Sequence, residues 1–186
     1  SAIDNLLLDP HGILYEEPYR LLHDELRDTV QASTLLSIIG NGANKMSEIA
    51  ARAEKAATEI SAQLNNLRDL GFIIRQLPYG EDEKKSRKGI YVVSDHLFRF
   101  HYRFVSPFIS FIELGKQDVI HSVIESQFSQ YVGQFWEELC RDFVCGNVID
   151  NILYTKGSRW GGMLTDGTMA ELDVVAESLD RKHLLI

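Results

Sequence analysis

One stretch of the sequence carries polar side chains that could contact nucleic acid. From Ala57 to Leu70 the apolar residues recur every three or four positions, which predicts a helix with one buried face. The positions outside that face hold hydroxyl, amide and guanidinium groups, which hydrogen-bond to base edges and phosphates. The candidates for DNA contact on this helix are Thr58, Ser61, Asn65 and Arg68.

Basic residues flank this helix on both sides in the sequence. Residues 41–100 contain 10 Lys and Arg against 8 Asp and Glu, whereas the rest of the chain contains 9 against 19, within a net charge of −8. If any surface meets DNA, we expect it in that middle segment, because phosphates attract positive charge. The basic candidates are Lys45, Arg52, Lys55, Lys84, Lys85, Arg87 and Lys88.

Acidic residues dilute the same segment, so a second interpretation stays open. Glu48, Glu54, Glu59 and Asp69 surround the helix, and Glu81–Glu83 precede the basic run. The alternative is a protein–protein or interdomain interaction module that binds no DNA, since a fold does not fix a function.

The order of the elements around this helix predicts a winged helix-turn-helix domain over residues 19–104. Helical periodicity from Tyr19 to Ile39 comes first, and Ser47 is the expected N-cap of a second helix. After the third helix, apolar runs at 72–74 and 90–93 predict two strands joined by a charged tip. Three helices followed by a hairpin form the winged-helix plan.

The residue pattern of the C-terminal half predicts helices first and then the strands of a sheet. Aromatic residues from Phe98 to Phe111, interrupted by Pro107, indicate helix, kink and helix, and a further helix follows over 119–144. Residues 157–162 are predicted as a loop, whereas 170–176 and 183–186 are expected to be neighbouring strands of a sheet. Because such a sheet has an exposed edge, we expect a homodimer through this half.

Three stretches resemble the C-terminal part of archaeal-type P-loop ATPases, and the resemblance covers nearly the whole chain. Ser94–Val105 resembles the aromatic link helix of that family, with His101 where Trp is usual. Gly133–Glu137 resembles its Gly-x-x-Phe-Glu helix, and Gly157–Ala176 its Gly-x-x-Trp loop and Glu-x-Asp strand.

The resemblance implies an α+β fold: a winged helix-turn-helix followed by a partial restriction-endonuclease-like α/β domain. Residues 1–18 would connect to an upstream ATPase domain, 19–104 would form the winged helix, and 105–186 a truncated endonuclease-like domain. The chain has no Gly-x-x-x-x-Gly-Lys-Ser/Thr run. We therefore expect no cofactor here, and expect ATP and Mg²⁺ to bind only the intact parent protein.

The resemblance also implies a remnant of a nuclease metal site. Asp173 would be the first carboxylate, Glu137 a supporting one on a helix, and Glu171 an assistant on the same strand face. The family's Glu-x-Lys motif would follow Ile186, so we expect no complete site for the Mg²⁺ that such nucleases need.

Other function classes lack a signal in the sequence. No apolar run approaches the roughly 18 residues of a membrane-spanning helix, so we expect a cytoplasmic protein without a membrane partner. No Ser-His-Asp or Cys-His arrangement and no dinucleotide-binding glycine loop is evident. The expected partners are double-stranded DNA, the ATPase domain and a second copy of the chain.

Overall fold

The chain folds as an α+β protein, as predicted, with two compact units. A computed structural model describes residues 2–186. One unit contains the residues up to Arg75 together with Ile90–Ser126, and the other contains Gln76–Gly89 together with Gln127–Ile186. No helix among the described residues combines the length and the apolar character needed to span a membrane.

The first unit begins with a packed segment. Helix α1 spans Ala2–Leu7, and Leu8 after it is fully buried. Asp4 pairs with His121 at 2.5 Å, and the Gln117 side-chain amide donates to the Leu8 carbonyl at 3.0 Å. Residues expected to act as a connector are therefore bound to this unit by side chains.

The helix predicted from Tyr19 to Ile39 is interrupted, so that expectation was wrong in part. Helix α2 spans Glu17–Glu25 and helix α3 spans Thr29–Gly40. Leu26 ends α2 in an extended conformation, and the Asp28 carboxylate accepts from the Gln31 N–H at 3.1 Å. Such an N-cap satisfies an otherwise unpaired N–H, so the break is stabilised locally.

The next helix starts earlier than predicted. Helix α4 spans Met46–Arg52 with Lys45 as its N-cap residue, so the assignment of Ser47 as N-cap was wrong. The Glu48 carboxylate reaches back and accepts from the N–H groups of Asn44 and Lys45, at 3.3 and 3.4 Å. A glutamate at the third helical position performs this function in a capping box.

Helix α5 (Ala57–Asp69) and strand β2 (Ile90–Val93) lie at the predicted positions, whereas strand β1 (Ile73–Gln76) begins and ends later than the predicted 72–74. The strands pair in a two-stranded sheet. The Tyr91 N–H donates to the Asn44 carbonyl at 2.8 Å, so β2 is also bonded to the segment before α4. The buried core of this unit includes Leu36, Ile39, Ile49, Ile60, Leu64, Leu67, Ile73, Val93, Phe98 and Tyr102.

The aromatic segment is helical with irregular turns before Pro107. Helix α6 spans His96–Phe100, a π-helical turn His101–Val105, a 3₁₀ turn Ser106–Phe108 and helix α7 Ile109–Glu113. Proline cannot donate a backbone hydrogen bond, which accounts for the change of helix type at this point.

The second unit packs the end of a long helix against small antiparallel sheets. Helix α8 spans Gln117–Val144, and its residues from Gln127 onwards belong to this unit. Strands β3 (Val148–Ile149) and β4 (Ile152–Leu153) form a hairpin.

A three-stranded sheet completes the second unit, with the order β5–β6–β7. Strand β5 spans Ser158–Met163, so the prediction of a loop over 157–162 was wrong. Strands β6 (Met169–Glu177) and β7 (Leu184–Leu185) are antiparallel neighbours, which agrees with the predicted consecutive strands. Gly161 and Gly162 obscured β5, because glycine pairs in a sequence pattern usually indicate a turn.

Candidate functional site

The exposed face of α5 is polar. Thr58 and Asn65 are exposed, and Ser61 and Arg68 are partly exposed, whereas Ile60, Leu64 and Leu67 are buried. None of the described residues of α5 is an exposed large hydrophobic. The helix therefore presents hydrogen-bonding groups to solvent on one face and packs its apolar row into the core.

The basic residues around α5 have partners within the same unit. Lys55 Nζ lies 2.5 Å from the Glu59 carboxylate, and Arg68 lies 3.6 Å from that of Asp69. Lys45 lies 3.8 Å from Glu48, and Arg52 Nη1 donates to the Asn41 carbonyl at 3.2 Å. Exposed pairs of this kind contribute only about 0–1 kcal/mol, so these cations can exchange partners easily.

The loop of residues 77–89, which joins β1 to β2, is ordered by its own acidic residues. The Asp82 carboxylate accepts from the N–H groups of Lys84 and Lys85, both at 3.0 Å. Lys88 Nζ pairs with Glu81 at 2.7 Å, and side-chain hydrogen bonds from Lys88 and Ser86 lower the pKa of the Glu81 carboxyl. The four basic candidates of this loop, Lys84, Lys85, Arg87 and Lys88, are all exposed.

The same loop is bonded to strand β5 within the second unit. The Tyr79 N–H donates to the Arg159 carbonyl at 2.7 Å. Arg159 Nη2 donates in return to the Lys88 carbonyl at 3.1 Å. Arg159 was not among the sequence candidates, although it lies in the Gly-x-x-Trp stretch that carries part of the resemblance.

Asp173 lies at an irregularity of the sheet. Ser158 pairs with Val175 and Trp160 pairs with Leu172, so Arg159 alone faces both Asp173 and Val174. Two residues opposite one define a β-bulge, which disrupts the ladder locally and redirects side chains. The Asp173 carbonyl accepts from Arg141 Nη1 of helix α8 at 2.8 Å, so the arginine supplies a hydrogen bond at the bulge.

Glycine at position 157 allows β5 to approach α8 closely. A Cβ at that position would lie 2.8 Å from the Arg141 carbonyl oxygen and 2.9 Å from its Cα. Contacts that short do not occur between unstrained atoms, so the position requires glycine for packing.

The three predicted carboxylates interact electrostatically with one another or with the arginines at 141 and 159. Burial raises the pKa of the Glu137 carboxyl, and the nearby negative charge of Asp173 raises it further, while Arg141 at 3.7 Å opposes both effects. Burial lowers the pKa of Arg159, and the positive charge of Arg141 adds to this, while Glu171 acts in the opposite direction. Glu137 thus interacts with Asp173, and Glu171 with Arg159.

The residues present do not fit a divalent cation. Among the described residues no group of three His, Cys, Asp or Glu side chains is placed to hold a metal ion. Mg²⁺ requires near-octahedral oxygen ligands, whereas here the arginine next to Glu137 already compensates part of the negative charge. The arrangement is an ion pair on helix α8, between Glu137 and Arg141, and a hydrogen bond from Arg141 to the backbone of the β-bulge.

Sequence reasoning missed both arginines for a physical reason. Arg141 follows Glu137 by four positions, so an ion pair on one helix face was a signal that could have been recognised. The position of Arg159 depends on strand register and on the bulge, which no local pattern encodes.

Sequence comparisons relate the chain to an archaeal protein and, over its C-terminal part, to a protein family. The chain is 29% identical over 167 residues to the "Uncharacterized protein MJECL04" of Methanocaldococcus jannaschii. That similarity covers 89% of this chain and 37% of the relative, so the chain spans little more than a third of the relative's length. No solved structure matches the chain. Residues 101–186 match a family described as "DUF234: Archaea bacterial proteins of unknown function".

Proposed function

We propose that this chain is the DNA-binding, regulatory part of an archaeal-type ATPase, and that helix α5 contacts double-stranded DNA. The observation that carries the proposal is the exposed face of α5, which is polar and holds no exposed large hydrophobic among its described residues. A helix that docks onto a protein groove uses an apolar face instead. Hydroxyl and amide groups in that position suit base edges and phosphates.

The backbone supports the interpretation of α3–α4–α5 and the hairpin as a winged helix-turn-helix. The bond from the Tyr91 N–H to the Asn44 carbonyl fixes β2 against the start of α4. Lys45 has extended dihedral angles, φ −90° and ψ 145°, so the chain passes this point like a short strand. The hairpin and the two helices are thereby held in one core.

The electrostatics predict modest affinity. Lys45, Lys55 and Arg68 each have an acidic neighbour, so an arriving phosphate must displace a weak ion pair before it gains a contact. We therefore propose binding near the usual non-specific range, with dissociation constants on the order of 10⁻⁴ to 10⁻⁶ M at physiological salt.

Two neighbouring asparagines of α5 provide a matched test of whether its polar face contacts DNA. Asn65 and Asn66 are both exposed, but consecutive helical residues differ by about 100° in direction. Asn65 lies on the side of Ser61 and Arg68, whereas Asn66 lies on the side of Glu59. In fluorescence anisotropy with a labelled duplex, Asn65→Ala is expected to weaken binding about twofold to tenfold, the range of one lost hydrogen bond of about 0.5–1.5 kcal/mol. Asn66→Ala is expected to bind like the wild type.

The alternative function is an interaction module that regulates the parent ATPase without binding DNA. If 50 mM salt reveals no binding to any duplex, while an ATPase domain or partner protein is retained, this alternative replaces the proposal. Equal losses in Asn65→Ala and Asn66→Ala would also argue against a DNA-contacting face on α5.

We also propose that residues 105–186 are an endonuclease-like domain without nuclease activity. The proposal rests on the resemblance around Glu137, Glu171 and Asp173, and on the positive charge of Arg141, which pairs with Glu137 at 3.7 Å.

A further inference from the structure

Helix α8 has two apolar faces in the second unit, and one of them is open. Val144 is buried and packs with Tyr154 and Ala176 in the small core of that unit. On another face, large apolar side chains are exposed at intervals of four, four, three and four residues. We call this set the α8 stripe: Phe128, Val132, Trp136, Leu139 and Phe143.

The exposed area of the α8 stripe is large for a protein surface. Trp136 is 65% exposed, Phe143 is 62% exposed and Leu139 is 59% exposed. Since an aromatic side chain can bury about 150–250 Å², the five side chains leave roughly 500 Å² of apolar area open. The largest apolar patch of a typical monomer is about 300–600 Å² and is often functional.

The C-terminal part of the stripe forms one wall of a groove of about 700 Å³. Trp136, Leu139 and Phe143 line it from the helix, and Leu185 and Ile186 line it from the end of the sheet. With this second wall, the open apolar area rises toward the roughly 800 Å² that each partner contributes to a standard interface.

The order of side chains along the stripe matches that of a helix that packs against its own copy. From either end it reads aromatic, aliphatic, tryptophan, aliphatic, aromatic. In a twofold antiparallel pair, Phe128 of one copy meets Phe143 of the other, Val132 meets Leu139, and Trp136 lies near the axis. A twofold interface requires such self-complementarity, because each patch must fit itself.

We propose that the α8 stripe is a homodimer interface, in which two copies of the chain pack their α8 helices antiparallel about Trp136. This differs from the sheet-edge dimer expected from the sequence, since the contact is between helices. It is independent of DNA binding by α5, and it is tested without DNA.

The oligomeric state tests this proposal. Light scattering after size-exclusion chromatography measures the molar mass at chain concentrations from 2 to 200 µM. We expect the wild type to be a dimer at the upper concentrations. Leu139→Glu places one buried charge in the interface from each copy, so it is expected to weaken the dimer at least 100-fold. The control Gln130→Glu adds the same charge to the same helix, about 160° away from the stripe, and is expected to remain a dimer.

Three results would overturn the proposal: a wild-type monomer at 200 µM, a Leu139→Glu dimer, or equal dissociation of Gln130→Glu. Circular dichroism establishes that each variant is folded. If Leu139→Glu loses its helical signal, the molar mass of Trp136→Gln is measured instead and compared with that of Gln130→Glu. A dimer of Trp136→Gln would then overturn the proposal.

Discussion

Arg141 on helix α8 donates from Nη1 to the carbonyl oxygen of Asp173, at 2.8 Å, where strand β6 bulges. Only 11% of the Arg141 side chain is exposed, and its second partner is the carboxylate of Glu137 at 3.7 Å. A bulge leaves backbone groups outside the regular ladder, so a side chain that satisfies one of them stabilises the irregularity.

Loss of this arginine is expected to destabilise the chain. Arg141→Ala removes a charged hydrogen bond and leaves the Asp173 carbonyl without that donor, so we expect a loss of about 1.5–3 kcal/mol in the free energy of unfolding. Urea denaturation measures it. Arg181 is a matched control, since it is 83% exposed and lies 4.0 Å from Glu177. Arg181→Ala is expected to change stability by less than about 0.5 kcal/mol, and equal effects of the two variants would contradict this account.

Two glycines in the second unit are expected to respond in opposite directions to alanine. Gly157→Ala forces a Cβ within 2.8 Å of the Arg141 backbone, so a loss of about 1–3 kcal/mol is expected. Gly133 lies inside α8 with nothing within 4 Å of a Cβ. Gly133→Ala is expected to stabilise by about 0.5–1 kcal/mol, because alanine is the better helix former. Thermal melts of both variants check the signs, and a stabilising Gly157→Ala would show that β5 does not approach α8 as described.

The free energy of unfolding is expected to decrease as the pH is lowered, because of His101. This side chain is 2% exposed, its Nε2 has no hydrogen-bond partner among the described residues, and burial lowers its pKa to about 4. An unfolded histidine has a pKa of about 6.5. Between pH 6.5 and 4 this histidine therefore binds a proton in the unfolded state but not in the folded state, which lowers the stability of the fold. The contribution of neutral, buried His101 to the free energy of unfolding is complete above pH 6.5 and is lost as the pH falls toward 4.

At pH 5 the expected loss from His101 is about 2 kcal/mol relative to pH 7. His101→Phe keeps a ring beside Tyr19 and Tyr102 but cannot titrate, so its unfolding free energy is expected to lack this part of the pH dependence. Urea titrations of both proteins at pH 7 and pH 5 make the comparison. The account of His101 fails if the variant and the wild type lose the same free energy.

No Mg²⁺-dependent cleavage of DNA is expected from the purified chain, because the carboxylates Glu137 and Asp173 share a site with Arg141 and no third ligand group is placed with them among the described residues. Incubation of plasmid DNA with the chain and 10 mM Mg²⁺ checks this on a gel. Cleavage by the wild type that disappears in Asp173→Ala would show that a functional metal site forms after all.

Local patterns predicted the parts of this fold that local physics determines. The four- and three-residue spacing of Ile60, Leu64 and Leu67 located α5, and short β-branched runs located β1 and β2. The break between α2 and α3 was missed, since the apolar period continues across it while a single cap at Asp28 decides the local conformation.

The candidate site of the second unit was only partly predictable. The resemblance directed attention to Glu137, Glu171 and Asp173, but Arg141 and Arg159 were absent from that set. Their positions follow from a strand hidden by glycines and from a bulge in the register of β5 and β6. Register is a long-range property, so no window of sequence could have shown which charges meet.

The salt dependence of duplex binding tests the central proposal most directly. Fluorescence anisotropy of a labelled duplex, titrated with the chain between 50 and 200 mM salt, gives the slope of log affinity against log salt. We predict binding at 50 mM that weakens steeply as salt rises, with a slope that becomes shallower by about one for Arg68→Ala, since each neutralised phosphate contributes about 0.9. No binding at 50 mM salt, or binding that is independent of salt, would contradict the proposal that this chain contacts DNA.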